Sequence, residues 1–99
     1  VILLDVVLGY GSHPDPAAEM RAAMTQAQDT ARKAGREIAF VGHVCGTDGD
    51  PQDKAEQLRQ LQAVGAVIVG SNIEAACLAA HLAVERDLKR AGQRATGRA

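Results

Sequence analysis

An excess of charge of either sign is missing from this sequence: 11 Lys and Arg stand against 12 Asp and Glu, for a formal net charge of -1. A module that tracks nucleic-acid phosphates carries a basic stripe. Here only the run from Lys89 to Ala99 is locally basic, and it reads as a solvated tail, so no nucleic-acid partner is expected. Cysteine is scarce. Cys45 and Cys77 form neither a disulfide framework nor a C-x-x-C metal pair, which fits a reducing, cytoplasmic compartment and predicts no metal site. No long hydrophobic run is present: Asp5 interrupts Val1-Ile2-Leu3-Leu4, and no basic n-region or small-residue cleavage site accompanies it. Those residues are therefore neither signal peptide nor membrane span. No initiator methionine precedes them, so the chain reads as a piece of something longer. Neither G-x-G-x-x-G nor G-x-x-x-x-G-K-[ST] occurs, which excludes a Walker-type nucleotide site.

What is present suffices for one globular unit: 99 residues, of which 46% are hydrophobic. The chain repeats one plan. Residues 2–8, ILLDVVL, form an apolar run of strand length without polar alternation, as expected of a strand covered on both faces in a parallel sheet. Asp15-Pro16 supplies an N-cap and a first-turn proline, and Met20, Ala23, Met24, Ala27, Ala31 and Ala34 continue at helical spacing to Gly35. The second unit has a strand over 37–44, a polar loop, and a helix opened by Asp50-Pro51. Its apolar face is Ala55, Leu58, Leu61 and Val64, and Gly65 ends it. The third has a strand over 66–70, the capping-box pattern Ser71-Asn72-Ile73-Glu74, and a helix with Ile73, Cys77, Ala80 and Val84 on one side, ending near Ala91 before Gly92. The string β-α-β-α-β-α, with right-handed crossovers, gives an α/β fold of flavodoxin-like, three-layer α/β/α type with a parallel sheet. Three strands leave two bare edges, so an upstream segment or a second copy is expected to complete the sheet.

Ligands of open parallel sheets bind outside the carboxyl ends of the strands. Two loops meet there. The first, Gly9-Tyr10-Gly11-Ser12-His13-Pro14, and the second, Cys45-Gly46-Thr47-Asp48-Gly49, carry glycines and hydroxyls. The candidate ligand and anion contacts are Gly9, Gly11, Ser12, Cys45, Gly46, Thr47 and Asp48, with hydroxyls and helix amides as donors. Asp5 is a candidate catalytic group, because a carboxylate within an apolar strand is costly to bury without a partner. His43 at the end of the second strand and His13 in the first loop are candidate acid/base groups. Asp15 and Asp50 read as helix caps, His81 as structural, and Cys45 as a small hydrophobe beside a strand.

With 5-DVVLGYGSHPDP-16 and 45-CGTDGDPQ-52 both in view, the chain resembles the C-terminal, flavodoxin-like part of the FdrA family, related to the α subunit of succinyl-CoA synthetase. The resemblance covers residues 1–84. It implies that residues 1–91 are one ligase-type domain or part of one, with 92–99 a basic tail. It further implies an upstream CoA-binding Rossmann-type domain of the same protein, CoA and a nucleotide bound largely outside this chain, and a homo- or hetero-oligomer. Asp5 would take the place of the strand-end glutamate that faces the family's phosphohistidine. The resemblance departs at the phosphohistidine loop. The related synthetases carry Gly-His-Ala-Gly in a long glycine-rich loop, whereas here the loop is only Cys45 to Gly49.

Three functions stay open on this reading: acyl-CoA synthesis within a longer protein, carbamoyl transfer in purine-nitrogen catabolism, and a non-catalytic assembly module. A transferring phosphohistidine needs a mobile backbone and an anion cradle at each end of its swing, and a strand-end histidine has neither. Incubating the full-length protein with γ-labelled nucleotide is expected to give no acid-labile, base-stable label that disappears in His43→Ala. Stoichiometric label of that kind would contradict the expectation.

Overall fold

Short aliphatic runs alternate with amphipathic segments, and each becomes the element its pattern favours. The computed structural model describes residues 1–96 as β1 (Ile2–Val7), α1 (Pro16–Lys33), β2 (Phe40–Cys45), α2 (Lys54–Ala63), β3 (Val67–Ile68) and α3 (Asn72–Thr96). The three strands are parallel and lie in the order β1-β2-β3. β1 and β2 pair along their full length, from Ile2 opposite Phe40 to Val7 opposite Cys45. No helix among the described residues is long and apolar enough to cross a membrane.

Alternation along the strands sorts the core into two layers. Val6 and Leu8 of the first strand run, with Phe40 and Val44 of β2, face α1 and α2 and bury Ala17, Met24 and Leu61. On the opposite face Val41 meets Ala75 and Ala79 of α3, with Val69, Leu78 and Leu82 around them. The result is the three-layer α/β/α arrangement, with α1 and α2 on one side of the sheet and α3 on the other. α1 begins where expected: the Asp15 carboxylate accepts from the Ala18 N–H at 3.3 Å, and Pro16 occupies the first helical turn. It ends at Ala34, followed by Gly35 at φ 73, a left-handed position that costs glycine nothing.

Four boundaries differ from the sequence reading. β2 starts at Phe40 rather than Glu37, because Arg36 and Glu37 are solvated and only Ile38 and Ala39 lead into the sheet. α2 starts at Lys54 with Asp53 as its cap, not at Asp50. Asp50 instead closes a turn, accepting from the Thr47 N–H at 2.7 Å. β3 shrinks to two residues: among the described residues β2 is its one strand neighbour, and only Val41 and Gly42 lie alongside it. α3 runs through Gly92 to Thr96. One glycine costs a helix about 1 kcal/mol, which the neighbouring good helix formers absorb. The remainder of the basic run, residues 97–99, lies outside the described residues.

The faces of two helices are also corrected. Ala55 of α2 is exposed, while Gln57 occupies the core side. On α3 the expected stripe of Ile73, Cys77, Ala80 and Val84 points to solvent, with Ile73 66% exposed, and Ala75, Leu78, Ala79 and Leu82 face the sheet. Both stripes have helical spacing, so periodicity alone did not choose between them.

Gly42 marks the tightest approach between β1 and β2. A Cβ there would lie 2.7 Å from Leu4 Cδ1 and 2.8 Å from the Leu4 carbonyl oxygen. The Gly42→Ala variant is expected to lose about 1–3 kcal/mol of stability, measured by urea unfolding, because backbone as well as side chain must move.

Candidate functional site

β1 and β2 bring Asp5 and His43 together. The two residues are directly opposite in the parallel register, so their side chains leave the same face of the sheet. Asp5 Oδ1 lies 3.7 Å from His43 Nδ1, with the imidazole side chain 20% exposed and the carboxylate 53%. At that distance the contact is an ion pair when the ring is protonated, not a close hydrogen bond. Cys45, two residues along β2 on the same face, is exposed at the strand end opposite Val7.

His13 is not part of this pair. Its Nδ1 accepts the Asp15 N–H at 2.9 Å, which leaves the ring proton on Nε2, 3.2 Å from Glu19 Oε1. It braces the first loop against α1. His81 likewise pairs locally, with Glu85 one turn on. In the first loop Gly9 has φ 144, a conformation reserved to glycine, and Gly11 is exposed. The Ser12 N–H donates to the Gly9 carbonyl at 3.3 Å. In the second loop Gly46 packs against Leu8 and Asp50, and Asp48 is exposed. Both donors of Thr47 face Asp50 Oδ2, the N–H at 2.7 Å and the hydroxyl at 3.5 Å.

Two residues that the sequence reading passed over hold these loops in place. Gln52 is 5% exposed and Gln57 2% exposed, the buried polar side chains of the core. Gln52 Oε1 accepts the Gly9 N–H at 3.1 Å, while its Nε2 donates to the carbonyls of Gly9 at 2.6 Å and His13 at 3.1 Å. Gln57 Oε1 accepts the Ala17 N–H at 2.8 Å, and its Nε2 donates to Asp15 Oδ1 at 2.8 Å. The signal for Gln57 was present in the sequence. It precedes Leu61 by four residues and Val64 by seven, so a polar side chain stands in the apolar stripe of α2. Gln52, in a turn, left no periodic trace.

The same network limits what the rim can hold. A helix N-terminus attracts anions through unpaired N–H groups, but at α1 these groups are engaged. Pro16 has none, Ala17 donates to Gln57, and Ala18 donates to Asp15. Carboxylates of Asp15, Asp48, Asp50 and Asp53 border the loops, and the Lys54 ammonium donates to the Gly46 carbonyl at 3.2 Å. Phosphate groups of CoA or a nucleotide therefore fit this rim poorly by itself. Among the described residues no group of three His, Cys, Asp or Glu side chains could hold a metal ion. The surface depressions beside Arg21, Thr25 and Asp29 of α1, and beside Gln28, Arg36 and Val64, touch none of the candidate residues.

Residues 1–82 match the CoA-ligase family. The chain belongs to the CoA-ligase family. It is also 34% identical over 79 residues to the uncharacterized protein YahF of Escherichia coli (strain K12), across 80% of this chain and 15% of that protein. The chain thus spans about 15% of the length of the curated relative it matches. Within this CoA-ligase domain the Asp5–His43 pair and both rim loops fall inside the matched residues.

The glutamine lock is testable through its buried amide. Gln57→Leu removes the acceptor of the Ala17 N–H without emptying the space, and stranding that donor is expected to cost about 1–3 kcal/mol. Urea unfolding measures the loss, and an unchanged midpoint would show that the Ala17 N–H finds another acceptor.

Proposed function

We propose that this chain is the ligase-type domain of an FdrA-like acyl-CoA synthetase, related to the succinyl-CoA synthetase α subunit, and acts within a longer cytoplasmic, oligomeric protein. The observation that carries the reading is the Asp5–His43 pair, set side by side by the strand register inside a CoA-ligase domain. Asp5 is the positioning residue: its carboxylate faces Nδ1, which favours the ring orientation that leaves Nε2 for the substrate. His43 then accepts or donates a proton at Nε2 during acyl transfer. Its backbone is the fourth residue of β2, held in the β1–β2 ladder. That position suits proton transfer from a fixed ring better than a phosphoryl relay by a swinging one.

The phosphate groups of CoA and nucleotide are assigned to parts of the full-length protein outside this chain, the upstream domain included, because the rim donors at α1 are already engaged. On this reading the first loop, with Ser12 and the Gly9–Gly11 backbone, contributes shape rather than charge. The carbamoyl-transfer reading would require a carbamoyl phosphate anion at the same rim, where the acidic border opposes it. A non-catalytic assembly role remains the rival from another class.

The experiment is turnover of the full-length protein with Asp5→Asn and His43→Ala. Acyl-CoA formation is expected to fall by about 10²–10⁴-fold in His43→Ala, and less in Asp5→Asn, with thermal midpoints near wild type. Unchanged turnover in both variants would overturn the proposal, and if assembly were lost with it the module reading would take its place.

A further inference from the structure

The residues of β1 divide into two sets by their backbone direction. The N–H groups of Ile2 and Leu8 reach the carbonyls of Ala39 and Cys45, each at 2.8 Å. Even-numbered residues of β1 therefore bond toward β2, and by the alternation of a strand Leu3, Asp5 and Val7 aim their N–H and C=O groups away from it. β1 has β2 as its only neighbour in the sheet of described residues. Three donors and three acceptors thus stand on a free edge.

The side chains of the same three residues define a second unfilled surface. Leu3 is 50% exposed and Val7 58%, whereas Val6 and Leu8 on the other face are 3% and 7% exposed. α3 lies on that face, but its buried residues centre on Val41 of β2, and its contact with β1 leaves Leu3 and Val7 half exposed. Soluble proteins blunt free edges with lysine, proline, bulges or inward charge. Here Asp5 is the one such device, set between aliphatic residues suited to burial on both sides.

We propose that the free edge of β1, with the adjoining face of Leu3 and Val7, is the docking surface for a parallel strand and helix from the remainder of the longer polypeptide. The proposal is independent of the catalytic role given to His43. Handedness supports the direction of pairing. α1 and α2 lie on one face as the chain steps from β1 to β2 to β3. A right-handed crossover that carries the chain outward, away from β2, to a strand on the far side of β1 puts its helix on the other face, where α3 already lies and where Leu3 and Val7 are open, whereas one that leads directly into β1 from that side puts its helix beside α1. The relative that this chain matches has ample sequence to supply such a unit, since only 15% of it is covered. A second copy is the poorer occupant. Two β1 edges related by a dyad pair longest when Leu3 faces Val7 and Asp5 faces Asp5, which sets like charges opposite each other. Shifting the register relieves the clash only by shortening the ladder.

An occupied edge makes β1 the point where strand order reverses, so the first loop would flank the crevice of the completed sheet. The added helix would also withdraw water from Asp5 and leave His43 as its neighbour.

Residue-resolved amide exchange on the full-length protein tests this without reference to activity. Occupancy predicts that the amides of Leu3, Asp5 and Val7 are protected to the same order as those of Val6 and Leu8, at least about 100-fold over unstructured chain. Fast exchange at Leu3, Asp5 and Val7 beside protected Val6 and Leu8 would overturn the proposal. Protection that disappears on dilution would also overturn it, in favour of pairing between copies. The variant Val7→Pro removes an outward N–H and no bond to β2. In the full-length protein it is expected to release Leu3 and Asp5 to fast exchange while Val6 stays protected. Retained protection at Leu3 and Asp5 in that variant would count against docking at this edge.

Discussion

The parallel ladder between β1 and β2 is the constraint on which the rest of this molecule depends. Its register places Asp5 opposite His43 and fixes which side chains enter each of the two core layers. A slip of one residue would invert every side chain of β1, carrying Asp5 into the aliphatic layer under α1 and moving Val6 out of it. The close approach of Gly42 to Leu4 allows the two strands to lie at this spacing, and a larger residue there would press on the Leu4 backbone. Local chemistry and global register therefore support one arrangement.

Much of this was legible because strong local signals coincided with the tertiary solution. Asp15-Pro16 followed by an alanine and methionine stripe could only open a helix. The apolar run of β1 pointed to cover on both faces, and the structure gives it on one: Val6 and Leu8 are buried while Leu3 and Val7 stand half exposed. That Asp5 would face a histidine was implied only by the family resemblance, and it is the parallel register, which no local pattern fixes, that sets it opposite His43. What stayed hidden was decided by competition between equivalent patterns. Asp50 and Asp53 are both competent helix caps, and the winner was the one whose rival was needed to close the turn on Thr47. On α3 two apolar stripes share one period, and only the tertiary packing shows that Ala75, Leu78, Ala79 and Leu82 are the ones against the sheet.

The buried glutamines explain how two polar loops can adjoin an aliphatic core without unsatisfied groups. Among the described residues no buried side-chain nitrogen or oxygen lacks a partner. Gln52 meets both the donor and the acceptor of Gly9, and Gln57 ties the start of α1 to α2, so the loops behave as one piece. The cost is chemical. Amides spent on internal order cannot receive a phosphate, which is why a domain of a CoA-using family presents so acidic and self-contained a rim. On the proposed reading its contribution is the carboxylate–imidazole pair, with positive charge to be met from elsewhere.

The two core layers are unequal, since two helices close one of them and a single helix closes the other. α1 and α2 share a layer containing Met24, Leu61, Phe40 and Val44, whereas α3 is anchored through Val41, Ala75 and Ala79 together with partly buried neighbours. Its far half is fastened by the Arg86 guanidinium donating to the Glu37 carbonyl at 2.6 Å, an exposed contact. One helix therefore covers this face where two cover the other, so removing α3 would uncover Val41 alone among the deeply buried strand residues and leave the layer of Val6, Phe40 and Val44 closed by α1 and α2.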